Sequence, residues 1–584
     1  MTSPYRAHRR LSARPWRLLA SLLLICGLGP VEASESDPPD IVLLHGHVYT
    51  MDAPRSWAEA VAIRRDRIVA VGTDASIEPL VRPATRVVDL AGRMVLPGFH
   101  DSHVHPLSGG VELGQCSLNG LSTREAVLER IGSCARDHPD RPWIVGGGFE
   151  LPLFPGGNPG REDLDRLVPD RPAYLSSSDG HSAWVNSRAL AVAGVDRATP
   201  DPAGGRIERR PDGQPSGTLR ESAMDLVARY LPKLTPGERL AGLRRGLDMA
   251  NRFGITSFIE ASADEPTLDA YQQAAREGWL TARVVASQYV DPAQDVTVVE
   301  RIAARSRGAP AGRLRADAAK LFVDGVIEAA TGALLEPYLD RPGDRGELNF
   351  DPEKLTRIVT ALYRERLQVH AHAIGDRAIR VTLDAIEAAR KATGWHDGRP
   401  HLAHIQLFAP PDIVRFRRLG VVANFQPMWA YADQFIRDLT EPRLGPERSR
   451  WLYPIGSMLA SGAIVAAGSD WSVTSMNPLD AIQVAVTRQG LDDSQGRPWI
   501  PEERATLADM LAAYTINGAY LHRMEGDTGS IEPGKLADLI VLDRNLFDVA
   551  AQDIHKVRVQ LTMLDGVVIW SDGTLAAGTP TTSR

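Results

Sequence analysis

Eight short β-like runs, each followed by a longer stretch with helical periodicity, span residues 94–470 and constrain the fold more than any other feature of the chain. Strand alternating with helix builds a parallel sheet, because parallel neighbours need a crossover connection and a helix supplies it. The runs fall at 94–105, 254–260, 282–286, 318–323, 367–372, 401–405, 421–425 and 463–470. Eight such strands close into a (β/α)8 barrel, so the predicted fold class is α/β with a TIM-like barrel. The segment 106–253 is far too long for one βα connection. It reads as an insertion over the C-terminal face of the barrel, where connecting segments shape the substrate site.

Both chain ends have another texture. Short β-rich runs between Gly, Asp and Pro turns occupy 40–89 and return at 537–570. Neither half carries enough strands for a two-sheet core. The expectation is therefore one β-sandwich built from 34–96 and 525–584, flanking a barrel domain over 97–524. Residues 1–33 read as a secretory signal peptide: Arg6, Arg9, Arg10, Arg14 and Arg17 precede an apolar run at 18–26 that is short for a bilayer, and Val31-Glu32-Ala33 offers cleavage before Ser34. An uncleaved anchor is the competing reading. Lipid attachment at Cys26 is disfavoured by the bulky Ile25 before it, and Arg9-Arg10 lacks the flanking pattern of a twin-arginine signal. The expected location is periplasmic or secreted, in a bacterium. Cys116 and Cys134 remain after cleavage, and whether they pair is open at this point.

Charge narrows the partners. Lys and Arg number 66 against 73 Asp and Glu, for a net charge of −7, and no basic run occurs beyond residue 17. A nucleic-acid partner is excluded on that balance. No later segment reaches about 18 consecutive apolar residues, so no stable membrane association is expected once the signal is removed. The expected partner is a small-molecule substrate, with a homodimer as a possible assembly.

The candidate chemistry gathers at the ends of the β runs. His103-Val104-His105 places two imidazoles on one strand face, since side chains alternate with period two, and two convergent nitrogens suit Zn²⁺ or a similar ion. Such a pair alone is a weak signal. It gains weight because Lys320, His372, His404 and Asp470 also fall at the ends of later runs, where barrel enzymes carry their active sites. His370 shares a strand face with His372 and is its main rival as a ligand. His100 lies on the opposite face from His103 and His105, and His401 reads as structural.

These residues carry a resemblance. The segment 96–105, ending in His103-Val104-His105, resembles the opening motif of the amidohydrolase superfamily of metal-dependent hydrolases. The likeness continues through Lys320-Leu321-Phe322-Val323-Asp324-Gly325, His372-Ala373-Ile374-Gly375-Asp376, Ala403-His404-Ile405-Gln406, Gly468-Ser469-Asp470-Trp471 and the closing segment 529–539. The motif Asp179-Gly180-His181-Ser182-Ala183-Trp184-Val185-Asn186-Ser187 resembles the branch that includes N-substituted formamide deformylases. The resemblance spans about 40–577.

It implies that His103 and His105 hold one divalent metal, that His372 and His404 hold a second, that a carboxylated Lys320 bridges two Zn²⁺ ions, and that Asp470 completes the site. An ammonium cannot ligate a cation, whereas a neutral lysine amine can take up CO₂ to give an anionic carbamate. The competing role for Lys320 is an ordinary ion pair with Asp324 or a substrate carboxylate. A metal lowers the pKa of bound water towards about 7, and Asp470 then serves as general base and acid in cleaving a C–N bond of an amide, N-formyl or cyclic amide substrate. His181 is a candidate substrate-binding residue, and Trp143, Phe149, Trp429 and Trp471 are candidate pocket walls. Two alternatives stand beside this: a deaminase of the same superfamily, and a catalytically inactive binding protein on this fold. Such deaminases tend to carry Glu three residues after the fifth-strand His, where this chain has Gly375. An inactive relative would have lost metal ligands, and none is missing here.

Overall fold

The computed structural model describes residues 37–202, 204–309, 312–492 and 496–575, so the proposed signal peptide lies outside the described residues. At its centre stand eight parallel strands: β1 (Phe99–Val104), β2 (Ile255–Ala263), β3 (Arg283–Tyr289), β4 (Leu314–Phe322), β5 (Gln368–Ala373), β6 (His401–His404), β7 (Val422–Phe425) and β8 (Val465–Ala467). They pair in chain order. The gap between β8 and β1 is bridged by two backbone bonds just past their C-terminal ends. The Asp470 N–H donates to the His103 carbonyl at 2.7 Å and the His105 N–H donates to the Trp471 carbonyl at 3.0 Å. Closure of the barrel thus delivers Asp470 beside the His103–His105 pair.

Period-two alternation sets what fills the interior. Ile259, Val285, Ala318, Val422 and Ala466 form an apolar layer, capped by Leu521 from the helix Ile516–Leu521. Two residues further along β4, on the same face as Ala318, stands Lys320; β5 presents His370 and His372 in the same way. The polar centre is therefore stacked on an apolar plug. Helices cover the outer faces. The helix Pro352–Arg364 is representative: Asp351 caps it by accepting from the Glu353 and Lys354 N–H groups, and Leu355, Ile358, Val359 and Leu362 bury one stripe.

The first sequence run divides in two at Gly98. Its first half, Met94–Pro97, pairs antiparallel with Leu539–Leu542 in a six-stranded sheet that joins the two chain ends; its second half is β1. A side chain at position 98 would come within 2.2 Å of the Thr256 hydroxyl, so only glycine lets the chain pass from one sheet to the other here. A four-stranded sheet of Ile41–Leu44, Ala60–Arg64, Arg67–Gly72 and Arg86–Asp89 lies against it. The two share one core, including Leu43, Val61, Ile63, Val88, Leu539, Val541 and Met563.

The long connection after β1 has its own six-stranded sheet, from Cys116–Ser117 to Pro215–Glu221, with two apolar clusters. Cys116 and Cys134 form a disulfide within it. Trp143 and Phe149 are buried in those clusters and do not wall the pocket, while Trp184 is fully buried with its indole N–H donating to the Gly160 carbonyl. Asn186 caps the helix Ser187–Ala193 and donates to the Val168 and Arg171 carbonyls. Among the described residues no helix is long and apolar enough to cross a membrane.

Candidate metal centre and active site

The tightest donor group is His103, His105 and Asp470, whose ligand atoms all lie within 4.8 Å of one another. Asp470 Oδ1 is 3.2 Å from His105 Nε2 and 3.5 Å from His103 Nε2. On its other side Oδ2 is 3.7 Å from His404 Nδ1, a buried nitrogen with no hydrogen-bond partner. The His404 ring centre lies 4.6 Å from that of His103 and 4.5 Å from that of His372. His372 gives its Nε2 to the Gly325 carbonyl at 3.0 Å, which leaves Nδ1 as its remaining donor. All four histidines and the aspartate therefore meet at one place. The structure draws His103, His105 and Asp470 into the close set, with His372 and His404 alongside.

Lys320 is fully buried, and its ammonium nitrogen lies 3.4 Å from His103 Nε2 and over the Phe322 ring. Burial pushes it down to about 7, against the opposing charges of Asp470 and Glu260. It does not pair with Asp324. That carboxylate accepts three backbone N–H groups, from Ala333, Ile374 and Gly375, at 2.8 to 2.9 Å. A buried amine among imidazoles, without a bonded counter-ion and readily neutral, fits a lysine that takes up CO₂. Burial likewise holds His103, His372 and His404 well below the ordinary imidazole range, so they present neutral nitrogens. His105 moves the other way, to about 9: burial lowers it, but its hydrogen bonds to the Asp470 and Glu260 carboxylates outweigh that. The donor set suits a divalent transition metal: imidazoles, one carboxylate and an orphaned nitrogen, buried at the floor of a cavity.

A second layer orients these groups. His370, the rival to His372, sits behind His103: its Nε2 is 2.9 Å from His103 Nδ1 and its Nδ1 is 2.9 Å from the Ser287 hydroxyl. Its ring stacks on His401 at 4.0 Å, and His401 in turn meets the Asn424 amide. Glu260, in the second half of β2, approaches His105 Nδ1 at 3.3 Å and accepts a hydrogen bond from Tyr271. Asp101 accepts the N–H groups of His103 and Ser469, tying β1 to the segment after β8. Such partners fix ring orientation and tautomer. The sequence reading did not single out Glu260 or Asp101. Glu260 carried the same positional signal as Lys320, an ionisable residue late in a barrel strand. His100 is buried against His522 and Thr528, away from the metal ligands.

Above this floor opens a cavity of about 880 Å³ lined by His181, His372, His404, Trp429, Asp470 and Trp471, among others. Trp429 stacks on His404 at 5.4 Å, with the planes 11° apart. Glu150, Glu328 and Asp433 also line the cavity, together with Arg437, Arg488 and Arg497. His181 enters from the insertion, its ring centre 5.3 Å from that of His372. The backbone at His404, Ile405 and Asp470 has positive φ (71°, 39° and 52°), an uncommon conformation for residues with side chains.

A (β/α)8 barrel with this donor set at its C-terminal end defines a metal-dependent hydrolase. The family model of the amidohydrolase family matches residues 86–570, and the chain belongs to that family. It is 33% identical over 523 residues to the Arabidopsis thaliana protein LONG AFTER FAR-RED 3, covering 88% of this chain and 89% of that one. It is 28% identical to an N-substituted formamide deformylase of Arthrobacter pascens, covering 91% of this chain and 98% of the enzyme. A crystal structure of an uncharacterized metal-dependent hydrolase from Pyrococcus furiosus superposes with a TM-score of 0.67 at 27% identity, over 86% of this chain and 99% of that one.

Proposed function

We propose that this chain is an exported hydrolase of C–N bonds in small amides, with N-substituted formamides, N-acyl amines and cyclic amides as the substrates to test. The observation that carries the reading is the position of Asp470, within 3.2 to 3.7 Å of three imidazoles and facing the cavity. His103, His105 and Asp470 would hold one divalent cation, and His372, His404 and a carboxylated Lys320 would complete a site for two, Zn²⁺ being the ion expected. Bound there, the metal supplies a Lewis acid that lowers the pKa of water and polarises a carbonyl.

The chain's own groups handle protons and position. Asp470 takes the proton from the attacking water and returns it to the departing nitrogen, so the products are a carboxylic acid and an amine. His181, on the wall of the cavity, donates to the scissile carbonyl oxygen. Trp429 and Trp471 flank the reacting group and restrict water. Likeness to the Arthrobacter enzyme makes formamides the first compounds to try.

Deamination is disfavoured by packing as well as by sequence. A side chain at Gly375 would lie 2.0 Å from the Ala333 carbonyl, so no acid can stand there. Export is supported by the Cys116–Cys134 disulfide, which persists in an oxidising compartment.

The test is elemental analysis of the desalted protein and of Lys320→Ala, followed by a substrate screen. About two metals per chain, falling in the variant, together with release of an amine, are expected. About one metal, unchanged in the variant, would remove the bridging role of Lys320.

A further inference from the structure

His181 does not stand alone on the cavity wall. Its Nδ1 lies 2.9 Å from Glu221 Oε2, and the other carboxylate oxygen, Oε1, accepts the Thr331 hydroxyl at 2.6 Å. The two ends of this chain come from different parts of the fold. His181 and Glu221 belong to the insertion, where Ser182–Val185 pairs antiparallel with Pro215–Glu221 and the Glu221 N–H donates to the His181 carbonyl at 3.1 Å. Thr331 belongs to the barrel, in the segment following β4, and its oxygen accepts the Val326 N–H at 2.9 Å. Glu221 has a φ of 49°, an uncommon conformation for a residue with a side chain, held at the end of its strand. Gly325 completes the fit: a Cβ there would lie 2.4 Å from Glu221 Oε1 and 2.2 Å from the Thr331 hydroxyl. The Gly325 carbonyl is also the acceptor for His372 Nε2, so one barrel loop fixes both His372 and, through Glu221, His181.

Behind this partition lies a second cavity of about 500 Å³, lined by Glu221, Gly325, Thr331, Arg206 and Asn349 among others. His181 faces the larger cavity and Glu221 the smaller, so the pair forms the wall between them. A carboxylate on Nδ1 fixes that nitrogen as the donor and dictates which way the ring faces.

We propose that Glu221 is the positioning residue of His181: its carboxylate, tied to the barrel by Thr331, holds the imidazole with Nε2 turned into the substrate cavity. The inference rests on the reading of His181 as the residue that meets the scissile carbonyl. It adds that the orientation is imposed across the contact between insertion and barrel, so a substrate pose depends on that contact as well as on the metal floor.

The test uses metal-loaded full-length variants. Glu221→Leu should lower kcat by about 10- to 100-fold with KM little changed and metal content intact, Glu221→Gln should retain part of the activity because an acceptor remains, and Thr331→Val should lie between. In His181→Asn the further change Glu221→Leu should cost nothing more, since both remove one function. Additive losses, or loss of activity only in step with loss of metal, would overturn the proposal in favour of a structural role. Crystal structures of Glu221→Leu and Thr331→Val decide the positioning claim without turnover: a rotated His181 ring supports it, and a ring unmoved in both overturns it. If the wild-type protein cleaves no amide, the functional reading fails while the ring orientation still decides this one. Should Glu221→Leu not fold, Glu221→Gln and Thr331→Val carry the same comparison.

Discussion

Replacing His370 by Leu separates a metal ligand from the residue that aims one. His370 is fully buried and serves two partners at 2.9 Å, His103 Nδ1 on one side and the Ser287 hydroxyl on the other. Leucine fills similar space but leaves both groups without a partner. Each unsatisfied group costs about 1–3 kcal/mol, so the free energy of unfolding should fall by about 2–6 kcal/mol. The His103 ring would also lose the bond that fixes its tautomer, which weakens metal affinity by about 10- to 100-fold, or about 1.4–2.7 kcal/mol. His372→Leu, by contrast, removes a donor and should abolish the binding that depends on it. The assay is a chelator competition on the wild type and the two variants, read as metal retained per chain, with denaturant unfolding alongside. The expected order of retention is wild type, then His370→Leu, then His372→Leu. Outright metal loss in a folded His370→Leu protein, with His372→Leu unaffected, would refute the assignment and make His370 the ligand.

Further outcomes follow from the same geometry. Gly468→Ala would put a Cβ 2.5 Å from the His103 nitrogen and 2.7 Å from its Cβ, so the barrel junction must shift; we expect a folded protein with reduced metal content, and full occupancy would show that the junction can yield. Cys134→Ser opens a loop with a sequence separation of 18 residues, a loss of about 3 kcal/mol from the insertion on the chain-entropy account. Hydrogen exchange over 116–134 should show it, and protection indifferent to the substitution would contradict that value. Asp433 is pushed up to about 7 by burial, with Glu328 and Glu150 adding to the effect and the Ile436 N–H opposing it. Because the folded state holds a proton that the unfolded state releases near pH 4, this group lowers stability as pH rises from about 4 to about 7. Melts of Asp433→Asn and wild type should therefore diverge in the variant's favour across that window; parallel curves would reject the shift.

What the sequence made legible depended on how far each residue's role reached. The eight parallel strands and the proposed ligands His103, His105, Lys320, His372, His404 and Asp470 follow a local rule: a side chain able to bind metal at the end of a β run, on an alternating face. That rule needs no knowledge of neighbours. The run 94–105 was legible as β but not as two strands, because the division at Gly98 is imposed by Thr256 on the neighbouring strand β2. His370 shows the limit most sharply. It has the same residue type, strand and face as His372, and only the placement of β1 decides that one ring backs His103 while the other meets the cavity. Glu221 is more distant still, since its role is set by His181, 40 residues away, and by Thr331, 110 residues away. Donors that touch a metal can be read from local spacing. The carboxylates and imidazoles that aim them are defined by tertiary contacts, which no local spacing in the sequence encodes.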